Sequence, residues 1–183
     1  MRGGRDYGES CDLLLHRPPA GQAALGEDEG DPRCVELKGA MGRELERLYE
    51  RGFRHFISGM ARGCDLYFAE GVLALRAARP GVTLECALPC ASQADRWSAR
   101  ERRRYGDIVA RCDVETLVQQ NYDRFCMHRR DRYMVERSAV ILGVYDGGPG
   151  GTRYTLEHAM RQGLGIFLLD LNHPGEPAVE LRL

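Results

Sequence analysis

Short apolar runs alternate with amphipathic segments along this chain. The apolar runs have strand length and composition and cover 11–15, 55–57, 82–88, 114–118, 139–145 and 166–171. Between them, apolar residues recur at helical spacing, as in Cys34, Leu37, Met41, Leu45 and Leu48, and again in Leu66, Ala69, Leu73 and Ala77. Such alternation is typical of a parallel sheet with helices on its faces. We therefore predict an open three-layer α/β sandwich with a mainly parallel sheet of about six or seven strands.

Local signals refine this outline. Ser98 precedes Glu101 by three residues, which is the spacing of a helix-capping box, and another helix is expected to begin near Thr152. A length of 183 residues suits one domain, which we assign to the whole chain, 1–183. Within it, Gly, Pro and acidic residues predict an exposed loop over 18–32, and two prolines predict a surface tail over 172–183.

The charge balance and the hydropathy of the chain limit the classes of binding partner that we expect. The 26 basic and 27 acidic side chains nearly cancel, so no net field attracts nucleic acid, which is not an expected partner on this ground. Lys38 is the only lysine, so phosphate contacts would fall to arginine. No apolar run reaches membrane-spanning length. We expect a soluble cytoplasmic protein without a membrane partner. The sequence leaves open whether the chain forms a homo-oligomer.

The cysteines argue against metal or redox chemistry. The chain has seven, without a C-x-x-C pair, and most lie among apolar neighbours. We interpret them as reduced core thiols and expect neither a metal site nor a cofactor.

Two glycine-rich segments follow predicted strands and precede predicted helices, which is where parallel sheets bind ligands. The first runs from Ser58 to Asp65 and offers Gly59 and Gly63 for close backbone approach, with Ser58 and Arg62 for an anion. A tight turn with Asp65 as a cap explains it equally well.

The second glycine-rich segment, residues 146–152, has four glycines, among them Gly148, Gly150 and Gly151, and leads into a helix that Thr152 would cap. Converging N–H groups there favour an anion-binding nest over a plain flexible turn.

A third segment, residues 127–134, begins a helix and carries Arg130, a candidate for holding a phosphate. A solvated arginine-rich face is the alternative, because Arg129, Arg130 and Arg132 point in different directions. Gln93 and Trp97 could cover a base, although an amphipathic helix anchor explains Trp97 equally well.

These motifs resemble those of the SLOG superfamily, whose fold is Rossmann-like. Residues 58–65 look like the Ser-Gly-x-Ala-Arg-Gly-Ile-Asp signature of the DprA family, and residues 127–130 with the later glycine-rich loop are similar to LOG nucleotide phosphoribohydrolases. The YpsA-like branch matches best. Its motifs correspond here to His16-Arg17-Pro18, Pro89 with Gln93 and Trp97, and Gly150-Gly151-Thr152 with Thr155.

The resemblance implies binding or sensing of a nucleotide-like ligand in a regulatory, non-catalytic role. Two departures from the pattern matter: Leu14-Leu15 stands where the family has Thr-Gly, and the glutamate of the LOG hydrolases is missing after Gly-Thr. Glu157 lies a turn further on, so Arg130 and Glu157 are only weak catalytic candidates. An N-glycosidase acting on a nucleoside 5'-monophosphate and a DprA-like binder of single-stranded DNA remain the alternatives.

Overall fold

The computed structural model describes the backbone of residues 10–14 and all of residues 29–181. Within these ranges the chain alternates strands and helices as the sequence predicts. The strands are β1 (Ser10–Leu14), β2 (His55–Ser58), β3 (Thr83–Leu88), β4 (Val114–Leu117), β5 (Val140–Tyr145), β6 (Gly165–Asp170) and β7 (Val179–Leu181). The helices are α1 (Pro32–Glu50), α2 (Cys64–Ala78), α3 (Ala99–Val109), α4 (Cys126–Val135) and α5 (Gly151–Arg161).

The strands fall into two groups of three, β4-β3-β2 and β5-β6-β7, which the backbone of β1 joins in the order β4-β3-β2-β1-β5-β6-β7. β1 pairs in parallel with β2 on one side and with β5 on the other. The α/β class and the mainly parallel arrangement are confirmed, whereas continuity between the two groups depends on β1 alone. Strand order reverses between β1 and β5, which makes this the topological switch point of the sheet.

The helices form two layers. α2 packs on α1 and α3, whereas α4 packs on α5. Alternate strand residues face the two layers: Phe56 belongs to the large core beneath α1 and α2, whereas its neighbour Ile57 packs with Met134 of α4. Burying both faces explains the continuous apolar runs of the central strands.

The helix starts follow local chemistry. Asp31 caps α1 by accepting a hydrogen bond from the Arg33 N–H at 2.8 Å, with Pro32 at the first helical position. In α3 the predicted capping box is confirmed, since the side chains of Ser98 and Glu101 each bond the other's backbone N–H. The predicted loop over 18–32 therefore ends where α1 begins, and residues 18–28 lie outside the described ranges.

The expectation of a surface tail over 172–183 needs correction. Its residues Val179–Leu181 form β7, which pairs antiparallel with β6. The buried carboxylate of Glu44 accepts a hydrogen bond from the Ala178 N–H at 3.2 Å and so holds the segment against α1. The sequence pattern did not reveal this strand, because three residues are too few to show a period of two.

Six cysteines lie in the described residues and all are free thiols. Five are buried and Cys112 is partly exposed; burial raises the pKa of the Cys64 thiol to about 12. Among the described residues no group of three or more His, Cys, Asp or Glu side chains is arranged to hold a metal. No helix in these ranges is long and apolar enough to cross a membrane.

Candidate functional site

The loop between β2 and α2 is closed by its own side chains. Ser58 is fully buried; its hydroxyl donates to the Asp65 carbonyl at 2.9 Å and accepts from the Met60 N–H at 3.2 Å. The Asp65 carboxylate accepts from the Ala61 N–H at 2.8 Å. Met60 adopts a φ of 56°, which is uncommon for a residue with a side chain and is held here by these bonds. Ser58 and Asp65 therefore shape the loop from within.

Arg130 of α4 reaches the same loop. Its buried guanidinium donates to the Gly59 carbonyl and lies 3.4 Å from the Asp65 carboxylate, while Asp131 approaches its Nε to 2.8 Å. A Cβ added to Gly59 would lie 2.6 Å from the Arg130 Cζ. The absence of a side chain at Gly59 thus leaves the space that Arg130 occupies. We name the set Gly59, Asp65 and Arg130 the arginine clamp.

Gln93 supports the clamp from the loop that follows β3. Its buried amide donates to the carbonyls of Gly59 and Met60 at 3.3 and 3.0 Å, and its oxygen accepts from the Tyr105 hydroxyl at 3.5 Å. Because both the nitrogen and the oxygen of its amide are hydrogen-bonded, Gln93 helps to hold the β2–α2 loop in place.

Burial sets the protonation of Asp65. Removal from water raises the pKa of this carboxyl to about 7, against the opposing effects of Arg130 and of the Ala61 N–H. Its Oδ1 is buried without a hydrogen-bond partner among the described residues. Asp65 lies in the first turn of α2, and a carboxyl with a pKa near neutral is typical of functional sites and also occurs in structural networks.

The loop between β5 and α5 is organised differently. The Asp146 carboxylate accepts from the Gly148 N–H at 2.8 Å, the Tyr145 hydroxyl donates to the Gly148 carbonyl at 2.6 Å, and Gly147 uses a left-handed φ of 88°. Asp146 and Tyr145 therefore hold the turn in place.

The predicted cap of α5 is wrong. Gly150 is the N-cap residue and no side chain caps the helix, whereas Thr152 lies inside its first turn. The Thr152 hydroxyl is buried without a partner among the described residues, and the Thr155 hydroxyl donates to the Gly151 carbonyl at 2.9 Å. The sequence could not separate Thr152 from Gly150 as the cap, because glycine and threonine are about equally favoured at the N-cap position.

The topology brings the two glycine-rich loops to one edge. β2 and β5 both run parallel to β1, so their carboxyl ends point the same way with one strand between them. Gly63 ends the first loop as the N-cap residue of α2, with a left-handed φ of 87°. His16 and Arg17, which the family motif places after the first strand, lie outside the described residues.

Two predicted residues lie away from the clamp. Arg62 is exposed, ion-paired with Glu101 at 3.7 Å and 5.8 Å from the centre of the Trp97 ring. Trp97 packs edge-to-face on Tyr105 at 5.4 Å and contacts the large core, as the interpretation of a helix anchor predicts.

A buried carboxylate within β3 was missed by the sequence analysis. Glu85 Oε2 lies 2.9 Å from His55 Nε2, and its Oε1 accepts from the hydroxyls of Tyr133 and Thr116 at 2.6 and 2.7 Å. Burial alone would raise the pKa of Glu85, but these three partners hold it below its ordinary value. The sequence signal for this group was the single charged residue, Glu85, within a largely apolar predicted strand. Tyr133 thereby fastens α4 to the sheet.

A family model and two relatives each match most of this chain. The family model for YpsA, described as the YspA SLOG family, matches residues 27–165. The chain belongs to this family. A UPF0398 protein of Halalkalibacterium halodurans is 29% identical over 129 residues, which cover 69% of this chain and 68% of that protein. The uncharacterised SPbeta prophage-derived protein YoqJ of Bacillus subtilis is 28% identical over 158 residues, covering 79% and 91%.

Solved structures of DprA share the fold of this SLOG family member. DprA from Streptococcus pneumoniae superposes with a TM-score of 0.56 at 12% identity, and DprA from Helicobacter pylori with 0.59 at 15%. Each alignment covers 87% of this chain but only 50% and 64% of the respective DprA chain. At this identity the likeness establishes the fold alone.

The exclusion of nucleic acid from the net charge is wrong. The Helicobacter pylori structure is that of a protein with a single-stranded DNA binding mode, and it shares this fold. A balanced net charge does not decide the matter, because local arginine groups can attract phosphates whatever the total charge is.

The clamp predicts a sharp difference between two glycines. Gly59→Ala should lower the free energy of unfolding by about 1–3 kcal/mol, because the new Cβ overlaps the Arg130 guanidinium. Gly106→Ala in α3 meets nothing within 4 Å and should instead stabilise the protein by about 0.5–1 kcal/mol. Urea unfolding of both variants measures the difference. Equal behaviour of the two would contradict the clamp.

The buried carboxyl predicts a pH dependence. Native Asp65 keeps its proton up to about pH 7, whereas in the unfolded chain it ionises near 3.8, so folding takes up a proton between these values. The free energy of unfolding of the wild type should therefore fall, relative to Asp65→Asn, as pH rises from about 4 to 7, by up to about 4 kcal/mol. Urea unfolding at pH 5 and 8 tests this. A difference that is constant with pH would refute it.

Proposed function

We propose that this protein binds a nucleotide through its phosphate groups at the carboxyl ends of β1 and β5. The observation that carries the proposal is the switch point itself: strand order reverses between these neighbours, and the next helix after each strand, α1 after β1 and α5 after β5, lies in a different layer. Open parallel sheets bind ligands in the crevice that this divergence creates. The glycine-rich loop after β5 borders that crevice.

The start of α5 supports an anionic group. Its first-turn N–H groups have no acceptor within the helix, and no side chain caps it. Gly151 has open space where a Cβ would stand, so a ligand can approach the backbone closely. The buried Thr152 hydroxyl, without a partner among the described residues, is a further donor at this position. Together with the helix dipole, these groups suit a phosphate.

The arginine clamp supports this site indirectly. Arg130 is committed to Gly59 and Asp65, so its role in the proposal is to fix the β2–α2 loop at the same edge. Of the other arginines, Arg17 follows β1 in sequence and belongs to the proposed site through the family motif. Ser58 and Gln93 act in this scheme by holding the β2–α2 loop in its conformation, and Gly63 ends that loop at the start of α2.

Blocking the backbone at α5 tests nucleotide binding. AMP, ADP, ATP, ADP-ribose and cyclic dinucleotides are added to the wild type during thermal unfolding, and at least one should raise Tm. A ligand at about a hundred times its Kd adds about 2.7 kcal/mol of stability. Gly151→Val should abolish the shift while folding normally, because its side chain fills open space in the path of the ligand.

The matched control is Gly42→Val, an exposed position of α1 with nothing within 4 Å of the added Cβ, which should keep the shift. The proposal fails if no probe stabilises the wild type, or if Gly151→Val responds as strongly as the control.

N-glycoside cleavage is the enzyme alternative, for which the sequence offers Glu157 as a weak catalytic candidate. The Glu157 carboxylate accepts from the Arg153 guanidinium at 2.9 Å on the outer surface of α5, with 45% of its side chain exposed. Activating water at a ribose carbon needs a carboxylate directed toward the sugar. This pairing supports binding without turnover.

Incubation with AMP should therefore release no adenine above the rate of a protein-free control, as followed by chromatography. Arg130→Ala should weaken binding of the stabilising nucleotide, because it frees the β2–α2 loop from α4 and removes the cation that lies against the buried Asp65 carboxyl. Multiple-turnover adenine release that Glu157→Gln abolishes would reverse the assignment and make the protein a hydrolase.

Binding of single-stranded DNA is the second candidate function. The DNA-binding mode of the Helicobacter pylori relative supports it, as does an exposed group of aromatic and arginine side chains on α4 and α5. Both features are compatible with a nucleotide site at the neighbouring sheet edge.

A further inference from the structure

A groove of about 390 Å³ lies between the first turns of α4 and α5. It is lined by Phe125, His128, Arg129, Arg132 and Tyr154. Both helices begin at the carboxyl edge of the sheet, so the groove opens beside the switch point without sharing residues with the arginine clamp. Its volume is at the small end of the range for ligand pockets and suits one planar group better than a large molecule.

The groove exposes large aromatic rings to solvent. Phe125 is 48% and Tyr154 is 45% exposed, and Tyr122 before α4 and Met127 in its first turn are exposed as well. The rings of Tyr154 and His128 meet edge-to-face at 5.4 Å, which fixes their positions across the two helices. Fixed, exposed rings at the mouth of a small groove are suited to stacking.

Positive charge surrounds these rings. Arg132 has no hydrogen-bond or ion-pair partner for its guanidinium among the described residues, whereas Arg129 is paired with Asp123. The Arg124 guanidinium lies 4.5 Å from the centre of the Phe125 ring. The acid nearest in sequence on α5, Glu157, is neutralised by Arg153. The groove therefore combines apolar rings with an available cation, which is complementary to a nucleobase joined to a phosphate.

We propose that this groove binds single-stranded DNA, with a base stacked on the Tyr154 and Phe125 rings and a backbone phosphate on Arg132. Stacking tolerates any base and needs unpaired bases, so the strand must be single. Arginine suits the phosphate because its planar group forms paired hydrogen bonds. This inference deepens the second candidate function by naming its surface and rests on that function.

The test separates stacking from charge. Fluorescence anisotropy of a labelled dT 20-mer, and of an abasic 20-mer with the same backbone, is measured with the full chain at two salt concentrations. Tyr154→Ala should weaken binding of dT 20-mer roughly tenfold and leave the abasic strand unchanged, whereas Tyr154→Phe should bind as the wild type does. Arg132→Gln should weaken both strands and lower the salt slope by about one. Arg103→Gln, an exposed arginine of α3, is the matched control and should change little.

Distinct results would overturn distinct parts of the inference. If the wild type does not bind dT 20-mer even at low salt, single-stranded DNA binding itself fails. If it binds but the Tyr154 and Arg132 variants match Arg103→Gln, the function stands and the groove is the wrong surface. Equal binding of the dT and abasic strands by the wild type would reject stacking. Sedimentation of a dimer that Tyr154→Ala dissociates, without an effect on DNA, would assign the groove to a second copy of the chain.

Discussion

The pairing of the Arg130 guanidinium with the Gly59 carbonyl and the Asp65 carboxylate is the constraint on which this edge of the sheet depends. A buried charge is tolerated only when its partners replace water, and here the two partners lie 71 and 65 residues earlier in the chain. Gly59 makes the approach possible because it has no side chain to displace the guanidinium. The conformation of the β2–α2 loop thus depends on α4 as well as on the loop's own side chains.

α4 connects the separate features of the molecule. Arg130 faces inward to the clamp, Tyr133 bonds Glu85 within the sheet, and Arg132 and His128 face the groove. These residues occupy different sides of a single helix because successive positions are rotated by about 100°. A rigid helix that is fastened to β3 and to the β2–α2 loop keeps the groove and the switch point in a fixed relation.

The two binding proposals share one physical requirement, the recognition of phosphate. At the switch point the donors are backbone N–H groups and the Thr152 hydroxyl at the start of α5, which suit a single, closely held anion. In the groove the donor is a solvent-exposed arginine beside aromatic rings, which suits a flexible strand. Both α4 and α5, which carry these donors, begin at the carboxyl edge of the sheet.

The sequence by itself determined the features that depend on neighbouring residues: the α/β alternation, the Ser98–Glu101 capping box and the two glycine-rich loops at strand ends. Periodicity and capping are local, so they are legible without a fold. Only the tertiary structure decided that Arg130, rather than Arg129 or Arg132, is buried, because this depends on the rotation of α4 about its axis relative to the sheet. The tertiary structure likewise decided that Ser58 and Gln93 are buried and hydrogen-bonded within the protein, because a polar group removed from water needs a protein partner.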